Sequence, residues 1–132
     1  MMNLKSYNDE KLKVKVRAEL ILDSNKEPVS SRRSSLKHYE IRLFLEGKNP
    51  NINQVVYKLD PSYYDPIRET SDEKNNFAIE TTTYGDYYVT VDVQVGSEVV
   101  RQEILLSDLL KQSYTEKENA AIDQAIKDIE QN

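Results

Sequence analysis

The stretch "DYYVTVDVQVGSEVVRQEILL", residues 86–106, decides the fold. Tyr87, Val89, Val91, Val93 and Val95 alternate with Tyr88, Thr90, Asp92 and Gln94, the period-two pattern of a strand with one buried and one wet face. Gly96-Ser97 follows, a Gly-first pair suited to a type II′ hairpin, and "VVRQEILL" reads as the antiparallel partner. Upstream the same alternation recurs. In "KLKVKVRAELIL" it runs through Leu12, Val14, Val16, Ala18, Leu20 and Leu22, and in "HYEIRLFLEG" through Tyr39, Ile41, Leu43 and Leu45, closed by Gly47. "NQVVYKLD" and "NFAIETT" are shorter strands, and "DSNKEPVSSRRSS" is a polar loop with room for one edge strand around Val29. Six or seven such strands predict an all-β, two-sheet sandwich, because a single sheet of this size would leave its apolar face in water.

The last segment changes period. In "TEKENAAIDQAIKDIEQN" the residues Ile122, Ala125, Ile126 and Ile129 fall at helical spacing, and Thr115 with Glu118 has the form of a capping box. The expected organisation is a sandwich domain over 1–112 and a C-terminal amphipathic helix over 113–132. That helix either docks on the sandwich as a lid or offers its stripe to a protein partner.

Composition narrows the chemistry. The 132 residues carry a net charge of −5, one histidine and no cysteine. Disulfides and thiolate metal sites are thereby excluded, and so is a zinc site resting on two imidazoles. Acidic and basic residues are interspersed, so no phosphate-tracking nucleic-acid face is advertised, although Arg32, Arg33 and Lys37 form a local basic cluster on a solvated loop. The start lacks a secretory h-region, and no run approaches the roughly 18 apolar residues of a membrane span. The expectation is a soluble cytoplasmic protein with no cofactor. Catalysis is not expected: a nucleophile-and-base arrangement would have to use His38, and neither a GxSxG elbow nor a phosphate-binding glycine loop is present.

Tyrosines crowd two strand ends, in "LDPSYYDP" (59–66) and "TYGDYY" (83–88), beside Pro, Asp and Gly. Read from the residues alone, Tyr63 and Tyr84 are loop anchors that plug the sandwich end with wet hydroxyls. Pro61 and Pro66 fix the turn, and Gly85 supplies either a positive φ or a close backbone approach. Asp60, Asp65 and Asp86 lack the spacing of a calcium loop.

In order, "LKHYEIRLFLEG", "QVVYKLDPSYYDP", "NNFAIETTTYGDYYVTVDVQV" and "ILLSDL" resemble the YEATS domain, on its prokaryotic branch, over roughly residues 36–110. The family pattern is a His before a hydrophobic strand ending in Gly, a strand running into Leu-His-x-Ser-Phe/Tyr, an aromatic Gly turn feeding a strand, and an acidic strand end. The resemblance implies an immunoglobulin-like sandwich and a non-catalytic recognition module, with an aromatic channel for acylated lysine between two loops. Ser62, Tyr63 and Tyr84 then fall on wall positions, Gly85 on the turn, and Leu36 where an aromatic often extends the channel floor. Ser62 would pair with the ligand amide and the Tyr84 backbone N–H with its carbonyl. Asp60 replaces the family histidine, which makes unmodified or methylated lysine a rival ligand. Thr83 replaces the usual glycine before the aromatic, and its β-branched side chain would narrow the slot. The expected partner is a modified-lysine peptide or another small ligand at the same loops. The alternative is a protein-interaction sandwich of signalling or defence type, whose loop end is filled and inert.

Overall fold

The computed structural model describes residues 3–6, 13–115 and 119–132. Among these lie nine strands: β1 (Asn3–Ser6), β2 (Val14–Leu20), β3 (Ser30–Arg33), β4 (Leu36–Gly47), β5 (Ile52–Lys58), β6 (Ile67–Thr70), β7 (Ile79–Thr83), β8 (Tyr88–Val95) and β9 (Glu98–Leu105). Two helices follow, α1 (Leu106–Ser113) and α2 (Ala120–Gln131). One sheet has the order β1-β9-β8-β5-β6. In the other, β4 is central, pairing with β2, β3 and β7. The architecture is the expected all-β, immunoglobulin-like two-sheet sandwich.

Alternation builds it. β8 and β9 pair from Tyr88↔Leu105 to Val95↔Glu98. In the turn between them Gly96 has φ 62°, and Ser97 is not among the positive-φ residues, which is the II′ pattern. Val89, Val91 and Val93 from this hairpin, with Val55 and Tyr57 of β5, face Val16, Ala18, Ile41 and Leu43 of the other sheet. All are buried in one core. The Tyr57 hydroxyl is satisfied there by donating to the Phe77 carbonyl at 2.6 Å, and burial pushes its phenol pKa up.

Two features depart from the sequence reading. "VVRQEILL" was expected to stay extended and "ILLSDL" to be a strand end, yet the chain turns into α1 at Leu106. Leu106, Leu109 and Leu110 stand at helical spacing and are buried, but the stripe spans little more than one turn, too short to stand out from a strand-like apolar run. α1 also finishes the sandwich edge. Ser113 Oγ donates to the Ala18 carbonyl at 2.6 Å, and the Tyr114 hydroxyl accepts from the Leu20 N–H at 3.0 Å, so backbone groups of β2 are covered. The second departure is a pair of short strands, β1 and β6, in segments where the sequence pattern marks no strand.

α2 docks on the sandwich. Ile122, Ala125, Ile126 and Ile129 join the core cluster, so the stripe that a partner would read faces inward. Asp128 accepts from the Tyr39 hydroxyl at 2.5 Å, and Lys111 of α1 pairs with Glu130. Leu12 and the Glu118 half of the expected capping box lie outside the described residues. Asn119 caps the helix, its side chain accepting from the Ala121 N–H at 2.8 Å. No helix among the described residues is long and apolar enough to cross a membrane.

Candidate functional site

At one end of the sandwich, the β3–β4 hairpin, the β5–β6 loop and the β7–β8 loop meet around a cavity of about 280 Å³.

The β5–β6 loop is folded by its own polar groups. The Leu59 N–H donates to the Pro66 carbonyl at 2.8 Å and closes the loop base. Within it, Asp60 Oδ2 accepts from the Ser62 N–H at 3.0 Å, and the Tyr63 N–H donates to the Asp60 carbonyl at 3.1 Å. This is an Asx turn with Pro61 in its bend. Hydrogen bonds from Ser62 hold the Asp60 carboxyl below the usual carboxylate range. Asp60 is therefore ionised at neutral pH.

The turn throws Tyr63 inward. Its hydroxyl donates to the Thr82 carbonyl at 2.6 Å, and the Tyr87 hydroxyl lies 3.0 Å from it. Because Tyr63 spends its proton on Thr82, Tyr87 is the donor of the second bond. The two rings meet edge to face, with centroids 5.6 Å apart. Burial pushes both phenol pKa values up, so the relay stays protonated. This chain of hydroxyls ties the loop from one sheet to a strand end of the other.

The β7–β8 loop is shaped by a hydroxyl and a carboxylate. Thr83 is buried, and its Oγ1 donates to the Gly85 carbonyl at 2.6 Å while the Gly85 N–H returns to Oγ1 at 3.3 Å. Gly85 is not a positive-φ residue; it is needed for close approach, since a Cβ there would sit 2.9 Å from the Asn132 carbonyl carbon. Asp86 Oδ1 accepts from the Tyr87 N–H at 3.1 Å and the Ser107 N–H at 2.9 Å, fixing the start of α1 to this loop. Between these anchors Tyr84 stays 42% exposed, with its ring 5.2 Å from that of His38.

The structure thus brings Asp60, Ser62, Tyr63, Thr83, Tyr84 and Gly85 to one cavity. It does not bring Leu36, which pairs with Arg33 at the far end of the hairpin and does not line the cavity. Leu36 shares the hairpin face of Arg33 and His38 but lies two residues beyond His38 toward the turn, outside the lining. The sequence reading did not place Arg33, His38, Thr82, Asp86 and Asn132 at the site. His38 and Arg33 had a signal, as the residue matching the family histidine and as one of a basic trio; Asn132 had none. Among the described residues, no group of three His, Asp or Glu side chains gathers as metal ligands.

Two sheets closed at one end by loops around an aromatic-lined cavity define a β-sandwich with a loop-built pocket. Residues 39–102 match the model of the prokaryotic YEATS domain. Among solved structures, the crystal structure of the Yaf9 YEATS domain bound to H3K27ac shares the fold at a TM-score of 0.50. It is 19% identical and covers 70% of this chain and 72% of that one. The yeast AF-9 homolog Yaf9 is 18% identical over 70% of this chain and 68% of its own, with a TM-score of 0.48. The sulfur carrier protein SoxY from Chlorobium limicola f thiosulfatophilum is 10% identical over 79% and 78%, also with a TM-score of 0.48. No curated protein matches the chain in sequence.

Proposed function

We propose that this protein is a non-catalytic reader whose end cavity takes the flat head of a modified lysine within a peptide. The observation that carries this reading is the meeting of Ser62, Tyr63 and Tyr84, from two different loops, around one open cavity. A plugged end would favour the interaction-sandwich alternative, and this end is not plugged.

An acylated lysine ends in a neutral planar amide, which aromatic faces cover and a few polar groups orient. Tyr63 supplies a fixed ring, because its hydroxyl is already satisfied by Thr82 and Tyr87. Tyr84 supplies a second ring on the solvent side. Asp60 takes hydrogen bonds from Ser62 and so orients that residue, whose hydroxyl oxygen is left to accept from the ligand amide N–H. The Tyr84 backbone N–H takes part in none of the loop hydrogen bonds among the described residues, and in this reading it would meet the ligand carbonyl. The exposed, ionised Asp60 supports a second reading, a cationic lysine head held against the same rings. Its charge is solvated, which weakens that pull. The proposal rests on these loop residues rather than on the fold.

The test is an NMR titration of the isotope-labelled protein with acetyl-, crotonyl-, trimethyl- and unmodified-lysine peptides. Saturable shifts at Ser62, Tyr63, Tyr84 and Gly85 with the acyl peptides are expected. A response to the cationic peptides alone would move the assignment to the second reading. Silence at millimolar concentrations of all four would sink both.

A further inference from the structure

The basic trio Arg32, Arg33 and Lys37 does not act as one patch, because the β3–β4 hairpin divides it. In the ladder Arg32 pairs with Lys37, beside Ser30↔Tyr39, whereas Arg33 pairs with Leu36, beside Ser31↔His38. Alternation therefore sends Arg32 and Lys37 to the Tyr39 face and Arg33 to the His38 face. The contacts agree. Arg32 reaches the Ser35 carbonyl at 3.5 Å, and Lys37 Nζ stands 5.3 Å from the centre of the Tyr39 ring. Arg33 instead lines the cavity with His38 and Tyr84.

The other charged groups on that wall already hold the loops together. Asp60 is occupied by Ser62, and Asp86 by the backbone of Tyr87 and Ser107. Arg33 takes part in none of the ion pairs formed among the described residues. An exposed guanidinium at the mouth of a cavity, in a protein of net charge −5, is a local exception to the surrounding field. Its planar fork of donors matches two oxygens of a carboxylate or a phosphate.

We propose that Arg33 forms an anion subsite at the mouth of the cavity, so that the preferred peptide carries a carboxylate or phosphate on a residue adjacent to the modified lysine. This rests on the reader assignment above for its peptide context, and on Arg33 itself for the anion. The tyrosine slot receives the flat head, and the hairpin wall, which belongs to the opposite sheet from the Asp60 loop, receives the acidic neighbour. The module then reads two features of one segment.

Two measurements test this separately. In the first, inorganic phosphate is added to labelled protein and the Nε–Hε signal of Arg33 is followed, with Arg32 as the internal reference. In the second, acetyl-lysine peptides carrying Ala, Asp or phosphoserine beside the acetyl-lysine are compared for the wild type and Arg33→Gln. Phosphate is expected to move Arg33 at lower concentration than Arg32. The acidic peptides should bind about two- to fivefold tighter than the Ala peptide at low salt, the range of an exposed charge pair. That gain should vanish in Arg33→Gln and shrink in high salt. A larger gain for phosphoserine than for Asp identifies phosphate as the source, and equal gains show that a carboxylate suffices. Identical phosphate responses of Arg33 and Arg32, or an acidic-peptide gain that survives Arg33→Gln, would overturn the subsite and leave the lysine reading standing. Selective phosphate binding at Arg33 with no binding of any peptide would uphold the subsite and remove the lysine reading.

Discussion

The two tyrosine loops face the same cavity and are held in opposite ways. Tyr63 is pinned: its hydroxyl bonds Thr82 and Tyr87, and its backbone N–H closes the Asp60 turn. Tyr84 leans on His38, and its ring is nearly half exposed. One wall is therefore part of the folded framework, and the other is a surface ring on anchored backbone. Stability and recognition should separate along this line, since a pinned residue contributes to both and an exposed one only to contact with a ligand.

The sharpest way to break the comparison is Tyr63→Ala. It removes a half-buried ring and leaves the Thr82 carbonyl and Tyr87 hydroxyl without their partner, so a loss of about 3 kcal/mol in unfolding free energy is expected from a urea melt. A loss below about 1 kcal/mol would show that Tyr63 is no anchor. Next comes Gly85→Ala, whose Cβ would press on the Asn132 backbone at 2.9 Å. Displacement of the end of α2 should cost about 1–3 kcal/mol, read in the same melt, with new amide shifts at the end of α2. Tyr84→Ala is expected to change stability by less than about 0.5 kcal/mol. In the reader assignment it also weakens acyl-peptide binding about tenfold, the loss of one aromatic contact; calorimetric titration reads that ratio.

The smallest effect lies in pH. On the outer face of the larger sheet, Asp92 is gripped by Arg101 at 2.6 and 2.8 Å and by Lys58 at 3.3 Å, with the Arg101 hydrogen bond the main cause of its depressed pKa. A carboxyl whose pKa is lower folded than unfolded adds stability above its unfolded value of about 3.9, and that stability is lost as pH falls through the folded value. Asp128, depressed first by the Tyr39 hydroxyl, behaves the same way. Stability should therefore fall as the solution is acidified below about pH 4, and Asp92→Asn should flatten part of that slope. An unchanged slope in the variant would contradict the pairing.

How much of this was legible follows from the length over which each pattern repeats. β8 and β4 carry enough alternating positions to announce their buried faces, so the sandwich could be read from period two alone. α1 could not: Leu106, Leu109 and Leu110 span little more than one helical turn and follow directly on a strand. For the cavity, the loop pattern placed Ser62, Tyr63 and Tyr84 together, because motif order fixes which strand ends carry them. It did not show that Tyr63 is pinned, since its partners lie well down the chain, the Thr82 carbonyl in the other sheet and the Tyr87 hydroxyl at the start of β8. Arg33 could not be placed at the cavity from the sequence, because its face depends on the register of the β3–β4 hairpin and the polar "SSRRSS" run carries no apolar pattern from which to read that register.

The most direct test of a slot with one fixed and one exposed wall is to record intermolecular NOEs between the acyl protons of a crotonyl-lysine peptide and the tyrosine rings. Contacts from the acyl group to both Tyr63 and Tyr84, with the hydroxyl relay of Tyr63 and Tyr87 unchanged on binding, are the predicted result. A bound peptide whose acyl protons touch neither ring, or only the exposed Tyr88 and Ile67 of the outer sheet face, would contradict the account.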